Sequence, residues 1–452
     1  MPAGADPDRD ADGLGHPHAH ADADPDGHPD PDPDGHPDAD PDRLGHTDTD
    51  PDPDLRSLTA VPLDVAALRA DTLATASLTH LNNAGAALPP RPVVAAVVAH
   101  LRREEEIGGY EAEAAAADAV DRTYRAIARL LTCGPDEVAL VENATAAWDM
   151  AFYAIPFEPG DRILTGKAEY ASNFMAYLQM ARRRGVTVDV VPDDPHGQLD
   201  VDALAGMLDD RVRLISLTHV PTNGGLVNPA EAVGKVARDA GVLYLLDACQ
   251  SVGQLPVDVQ AIGCDLLSFT GRKYVRGPRG TGALYVRRER LADLDPPFVD
   301  LHAATWTAPD DFELLPDARR FENWESNVAA KIGLGVAVEY ALEVGVPAAW
   351  RRIRQLADGL RARLAAVGGV TVTDKGEVKC GIVSFDVAGA EAAAVQAALT
   401  AQRINVSVSP RSSTLLDTRE RDLPDLVRAS VHYYNTDDEL DRVAAAVAAL
   451  RP

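Results

Sequence analysis

Lysine is nearly absent from this chain: six lysines stand against 37 arginines in 452 residues. Arginine does not give up its proton in proteins, so covalent amine chemistry falls to one of the six. Cysteine is also sparse. Cys133, Cys249, Cys264 and Cys380 show no CxxC spacing, which argues against a disulfide framework or zinc site and fits a reducing cytoplasm. No run of about 18 uncharged apolar residues occurs, so no membrane-spanning helix is expected. The amino terminus also lacks the basic-then-apolar order of a secretory signal. Glutamate is missing from residues 1–54, which hold 17 Asp, two Arg and six of the twelve histidines. That segment carries −15 of the net charge of −27, leaving −12 for the rest. A moderately acidic body lacks the basic footprint of a nucleic-acid binder. With almost no apolar side chains to offset the entropy of ordering, 1–54 is expected to be a disordered tail. Its irregular histidine spacing gives no fixed metal geometry.

From about residue 56 the chain alternates apolar runs with helical stretches. LISLT (214–218), VLYLLD (242–247), DLLSFT (265–270) and TGALYV (281–286) read as buried strands. Stretches 144–155, 172–184 and 229–240 read as helices. Continuous apolar strands alternating with helices predict an α/β fold with a mostly parallel, doubly covered sheet. Helices at about 324–344 and 347–367 lead into shorter strands near 369–373, 380–386, 404–409 and 427–432. This change predicts a large domain over 55–339 and a smaller C-terminal α+β domain over 340–452.

In such sheets the chemistry gathers at the carboxyl ends of the strands. Asp247 closes one strand and Lys273 follows the next, 26 residues on. A buried acid needs a partner, and a pyridinium nitrogen answering Asp247 with a Schiff base at Lys273 is the division of labour pyridoxal phosphate uses. ENATAAW (142–148) follows a strand-like EVALV and opens a helix, a place suited to a phosphate. Asn143 or Thr145 there reads equally well as a plain helix cap.

The segments LNNAGAALP, ENATAAWD, AEYASN, THVPTNGGLVNP, LLDACQS, SFTGRK, RFENWESN and VRASVHYYNT together resemble the class V aminotransferase family over residues 75–450. The resemblance implies a fold-type I pyridoxal-phosphate architecture, with a large domain whose sheet is of the seven-stranded type, and a homodimer. It implies that Lys273 holds the cofactor, Asp247 meets the ring nitrogen and Gln250 the phenolic oxygen. Tyr170 stands where the family has a ring-stacking histidine. Ala144, Thr145 and Thr270 are implied phosphate contacts, with Arg272, in place of a histidine, adding charge. Arg428 matches the arginine that grips a substrate carboxylate. Asn223 or Thr222 falls near the phenolic oxygen, and Thr305 with Trp306 in the segment that reaches a partner's site.

The family's desulfurases carry a mobile cysteine in a loop that aligns with 404–415, INVSVSPRSSTL, where this chain has no cysteine and Ser412 stands nearby. Serine is a far weaker nucleophile than a thiolate, so the persulfide route is disfavoured. EEEIGGYEAEAAAA (104–117) and GRKYVRGPRGTG resemble the C–S lyase of ergothioneine biosynthesis and related lincosamide-pathway enzymes. The expectation is therefore β-elimination from an S-substituted cysteine or its sulfoxide, a small-molecule amino acid. Decarboxylating oxidative deamination, transamination and epimerisation remain the alternatives. A cysteine desulfurase or a non-catalytic scaffold ranks below them.

Overall fold

The computed structural model describes residues 63–450; the expected tail at 1–54 lies outside them. The centre is a seven-stranded sheet of β1 (Val138–Val141), β2 (Arg162–Thr165), β3 (Thr187–Val190), β4 (Val212–Thr218), β5 (Leu243–Asp247), β6 (Leu266–Thr270) and β7 (Gly282–Val286). Their spatial order is β1-β7-β6-β5-β4-β2-β3. Strands from β3 across to β6 run parallel, whereas β7 is antiparallel to both β6 and β1. Every residue of β5, β6 and β7 is buried, as continuous apolar runs require when both faces are covered.

The helix Ala230–Ala240 shows how the layers close. Ala230, Val233, Gly234 and Ala237 form its buried stripe at helical spacing. At Gly234 the helix comes so near that a Cβ would lie 1.8 Å from Ile262 O. Gly241, at φ 68°, then ends the helix in the left-handed region. By length and composition the stretch Asn83–Ile107 is long and apolar enough to cross a membrane. It is broken between Ala86 and Arg91, and its second part packs against the helix Val328–Val344.

The C-terminal part carries an antiparallel sheet of β8 (Val370–Val372), β9 (Ile382–Val387), β10 (Ser407–Ser409) and β11 (Leu426–Ser430), in the order β8-β9-β11-β10. Position 340, the expected boundary, lies inside Val328–Val344, and the described residues fall in one compact unit. The strand expected over 404–409 is two short ones. Ile404–Asn405 pairs in parallel with Thr79–His80, and only β10 joins β11. That first pairing brings the LNNAGAALP segment onto the C-terminal part.

Candidate active site

The carboxyl ends of β4, β5 and β6 and the helix that follows β1 converge on one pocket. Ala144, Thr145, Tyr170, Asp247, Gln250, Thr270, Arg272 and Lys273 all line it. Asn223, Thr305 and Arg428 do not.

Lys273 is half-buried in the loop after β6, with Nζ 3.2 Å from Cys249 Sγ. The other five lysines are tied to oxygen. Lys167 meets Glu420 at 2.7 Å, Lys235 meets Asp239 at 2.6 Å and Lys331 meets Glu322 at 3.6 Å. Lys375 bridges Asp193 and Asp417 at 2.7 Å each, and Lys379 donates to Gly376 O. Among the described residues only the Lys273 amine lacks an oxygen partner. Burial pushes the neighbouring Cys249 thiol up, with the Lys273 charge opposing that shift.

Asp247 is buried at the end of β5, where Oδ1 accepts from Cys249 N (2.9 Å) and Oδ2 from Asn173 Nδ2 (2.9 Å). Among the described residues no cation pairs with it, which leaves its charge to be met from the pocket. Gln250 is buried beside it; Nε2 donates to Ala84 O at 3.1 Å and Oε1 has no partner.

Asn143 caps the helix Ala144–Tyr153, its side chain accepting from Ala146 N, and the first intrahelical bond runs from Ala147 N to Asn143 O. The backbone N–H groups of Ala144 and Thr145 stand before that bond, and both residues line the pocket, a place for an anion. Thr270 Oγ1 donates to Thr281 O at 3.1 Å while lining the same end. Arg272 also lines the pocket, but one guanidinium nitrogen is committed to Gly85 O. Tyr170 sits at the pocket rim, immediately before the helix Ala171–Arg184.

Arg428, on β11, is buried behind Thr222, donating to Thr222 O (3.2 Å) and Thr222 Oγ1 (2.6 Å). Its Nε has no partner, no acid pairs with it among the described residues, and burial holds its guanidinium below the ordinary range. Of the two expected alternatives, Thr222 is the one that lines the pocket. Asn223 turns away, donating to Pro410 O (3.1 Å) and Thr414 Oγ1 (3.0 Å). It braces the 410–420 segment instead of facing a ligand. Thr305 stands on the exposed hairpin Ala304–Ala308/Asp311–Leu314, whose Trp306 is 73% exposed. Within this chain it reaches no part of the pocket.

Glu169, Asn173, Thr218 and Cys249 were not expected at the site. Glu169 and Asn173 stand four residues apart in AEYASN, a spacing that by itself does not mark a buried pair. Arg276, in the lysine's own loop, is 1% exposed and touches no part of the pocket.

The profile of the family described as Aminotransferase class-V matches residues 79–443. A "Probable cysteine desulfurase 2" of Mycobacterium leprae (strain TN) is 30% identical over 412 residues, 86% of this chain and 97% of the relative. A "Probable cysteine desulfurase" of Methanothermobacter thermautotrophicus is 28% identical over 368 residues, covering 80% and 92%. Among solved structures, the apo cysteine desulfurase of Thermococcus onnurineus NA1 superposes with a TM-score of 0.80 at 24% identity, covering 87% of this chain and 99% of that one. The cystine C–S lyase C-DES, solved with its reaction product cysteine persulfide, gives 0.76 at 25% identity, covering 84% and 100%. A C-DES mutant with glycine covalently linked to its PLP cofactor matches at the same score and identity, covering 84% and 98%.

Proposed function

Because the chain belongs to the aminotransferase class-V family and is a pyridoxal-phosphate enzyme, we propose that it is a C–S β-lyase. Its substrate is an S-substituted cysteine or the sulfoxide. With one water consumed, the products are a thiol (a sulfenate from the sulfoxide), pyruvate and ammonia. The residues present fit the cofactor: a buried acid without a cation, a free amine and an anion-binding helix start share one pocket. When bound, pyridoxal phosphate supplies an electron sink for negative charge developing at the substrate Cα. Lys273 would hold the cofactor, and its amine is the group placed to take the Cα proton. Asp247 would answer a positive charge at the ring nitrogen, Gln250 would serve the phenolic oxygen and Tyr170 would offer an aromatic face to the ring. Ala144, Thr145 and Thr270 would hold the phosphate, and Arg272 would add charge near it. Arg428, held behind Thr222, would take the substrate carboxylate where the substrate reaches past that threonine.

The observation that carries elimination over desulfuration is the 404–420 segment. It holds no thiol, and Thr414 is buried and tied to Asn223, while Lys375 grips Asp417. The segment is thus tied to the body at Thr414 and Asp417 and offers no thiol to carry sulfur. The C–S lyase named among the solved relatives supports the same reaction kind. The narrower placement beside ergothioneine- and lincosamide-pathway lyases rests on the 104–117 and 271–282 motifs. A homodimer finds support in the exposed Trp306 and Phe312 of the hairpin.

Incubating the loaded enzyme with S-alkylcysteines and their sulfoxides tests the reaction. Thiol or sulfenate with equal pyruvate is expected. Alanine from free cysteine would instead establish desulfuration, and aldehyde with carbon dioxide would establish oxidative deamination.

The phosphate end yields a second prediction. At Gly282 a Cβ would lie 2.7 Å from Phe269 O and 2.8 Å from the Asn143 carbonyl carbon. Gly282→Ala must therefore push the helix start away, at about 1–3 kcal/mol for such overpacking. Titration of apoenzyme with pyridoxal phosphate should show affinity weakened roughly tenfold or more. Unchanged affinity would remove the helix start from the phosphate site.

A further inference from the structure

Behind Asp247 lies a second buried acid to which the reaction above gives no part. Glu169 is 3% exposed. Its Oε1 accepts from Tyr170 N (2.8 Å), Asn173 Nδ2 (2.9 Å) and Thr218 Oγ1, and Oε2 accepts from Thr165 Oγ1 (3.0 Å) and Thr218 N (3.2 Å). No cation pairs with it among the described residues. The same Asn173 Nδ2 donates to Asp247 Oδ2 at 2.9 Å, so a single amide nitrogen joins the two carboxylates. Donors on both oxygens favour the anion, while the low dielectric and the like charge of Asp247 favour a bound proton.

We propose that Glu169 is a positioning residue that sets the charge presented to the cofactor's ring nitrogen, by holding Asn173 against Asp247 and by gaining or losing a proton behind it. Ionised, Glu169 places a second negative charge one amide away from Asp247. Protonated, it leaves Asp247 as the only anion there, and a threonine hydroxyl turns to accept its proton. The remaining groups around Glu169 do not take over this task. Tyr177, on the helix Ala171–Arg184, keeps its phenol proton and donates to Ser216 Oγ at 2.7 Å. Lys167 and Asp193, which share the small cavity on its far side, are engaged with Glu420 and Lys375. Burial, opposed by Thr218 and reinforced by Asp247, pushes the Glu169 carboxyl up to about 7. The exchange thus falls at neutral pH.

This inference rests on Asp247 facing the ring nitrogen, and the test separates the two. The visible absorbance of the loaded enzyme is followed from about pH 5.5 to about pH 9. Wild type should show an inflection near 7 that Glu169→Gln removes and Glu169→Asp retains. Thr218→Val, which keeps the acid and deletes one donor to its anion, should move the inflection upward by about one pH unit. If Glu169→Gln fails to fold or load, Thr218→Val decides alone. An inflection unmoved in Thr218→Val, one absent from wild type, or one retained in Glu169→Gln overturns the proposal. Asp247→Asn is the control. A spectrum unchanged in that variant overturns the ring-nitrogen assignment itself, whereas a changed one with Glu169→Gln silent overturns the Glu169 role alone.

Unfolding of the apoprotein gives an independent readout. The folded chain keeps a proton on Glu169 that the unfolded chain releases above its ordinary value of 4.5. That contribution to stability is full below about 4.5 and is lost as pH rises through about 7. Wild type should lose stability over this window more steeply than Glu169→Gln, and equal slopes count against the proposal.

Discussion

Lys273→Ala is expected to abolish covalent cofactor binding and to lower turnover by roughly 10³- to 10⁵-fold, since the proposed function gives one residue the tasks of attachment point and base. The argument is one of availability. Five of the six lysines have their ammonium groups held by carboxylate or carbonyl oxygens, four of them in ion pairs between 2.6 and 3.6 Å. An ammonium in an ion pair is a poor nucleophile, because the pair favours the protonated form. Lys273 has the Cys249 sulfur at 3.2 Å and the pocket in front of it. Borohydride reduction of the loaded wild-type enzyme, digestion and mass spectrometry should place the adduct on the peptide containing Lys273. In Lys273→Ala no lysine should carry it. An adduct on Lys167 or Lys375 in the wild type, or thiol release from Lys273→Ala at more than about a tenth of the wild-type rate, would refute the assignment.

The parts of this site legible in the sequence are those in which one residue type does one job at one strand end. Asp247 and Lys273 stand where continuous apolar runs stop, and such runs have few interpretations other than buried strands. Strand direction was not legible. TGALYV reads like its parallel neighbours, yet β7 runs against both, because its short connection from β6 returns it alongside. Glu169 and Asn173 escaped for a different reason. Nothing in AEYASN distinguishes an acid that will be enclosed by five donors from one facing water; the fold of β2 against β4 makes that difference. Thr305 was placed by resemblance to a segment that works across two subunits, and one chain shows it only as an exposed hairpin residue. Thr222 and Asn223 are adjacent and chemically alike, so only the turn after β4 decides that Thr222 backs Arg428 while Asn223 braces Thr414.

Arg276→Ala is the substitution expected to cost the most stability, about 3–5 kcal/mol. In the sequence this arginine looks like a loop residue made for solvent or phosphate, since three arginines follow or flank the lysine there. In the fold it is 1% exposed, at φ 65°, and no acid pairs with it among the described residues. Its charge is met by three acceptors, Leu88 O (2.8 Å), Tyr433 Oη (2.6 Å) and Thr72 Oγ1 (2.6 Å). Three aromatic faces surround it, with Tyr434 at 4.7 Å, Tyr433 at 5.4 Å and Tyr340 at 5.6 Å from the guanidinium carbon. One side chain therefore joins the 72–88 segment, the lysine loop and the turn after β11. Alanine leaves a cavity and buried acceptors without donors, each of the latter costing about 1–3 kcal/mol. Lysine cannot serve three acceptors from one flexible ammonium, so Arg276→Lys should recover only part of the loss. Urea unfolding reads the size of the effect. Limited proteolysis with mass spectrometry reads its place, with new cleavage expected first between residues 63 and 90. A midpoint shift equivalent to less than about 1 kcal/mol, or cleavage that begins elsewhere, would show that the lysine loop is held by its glycines and not by this arginine.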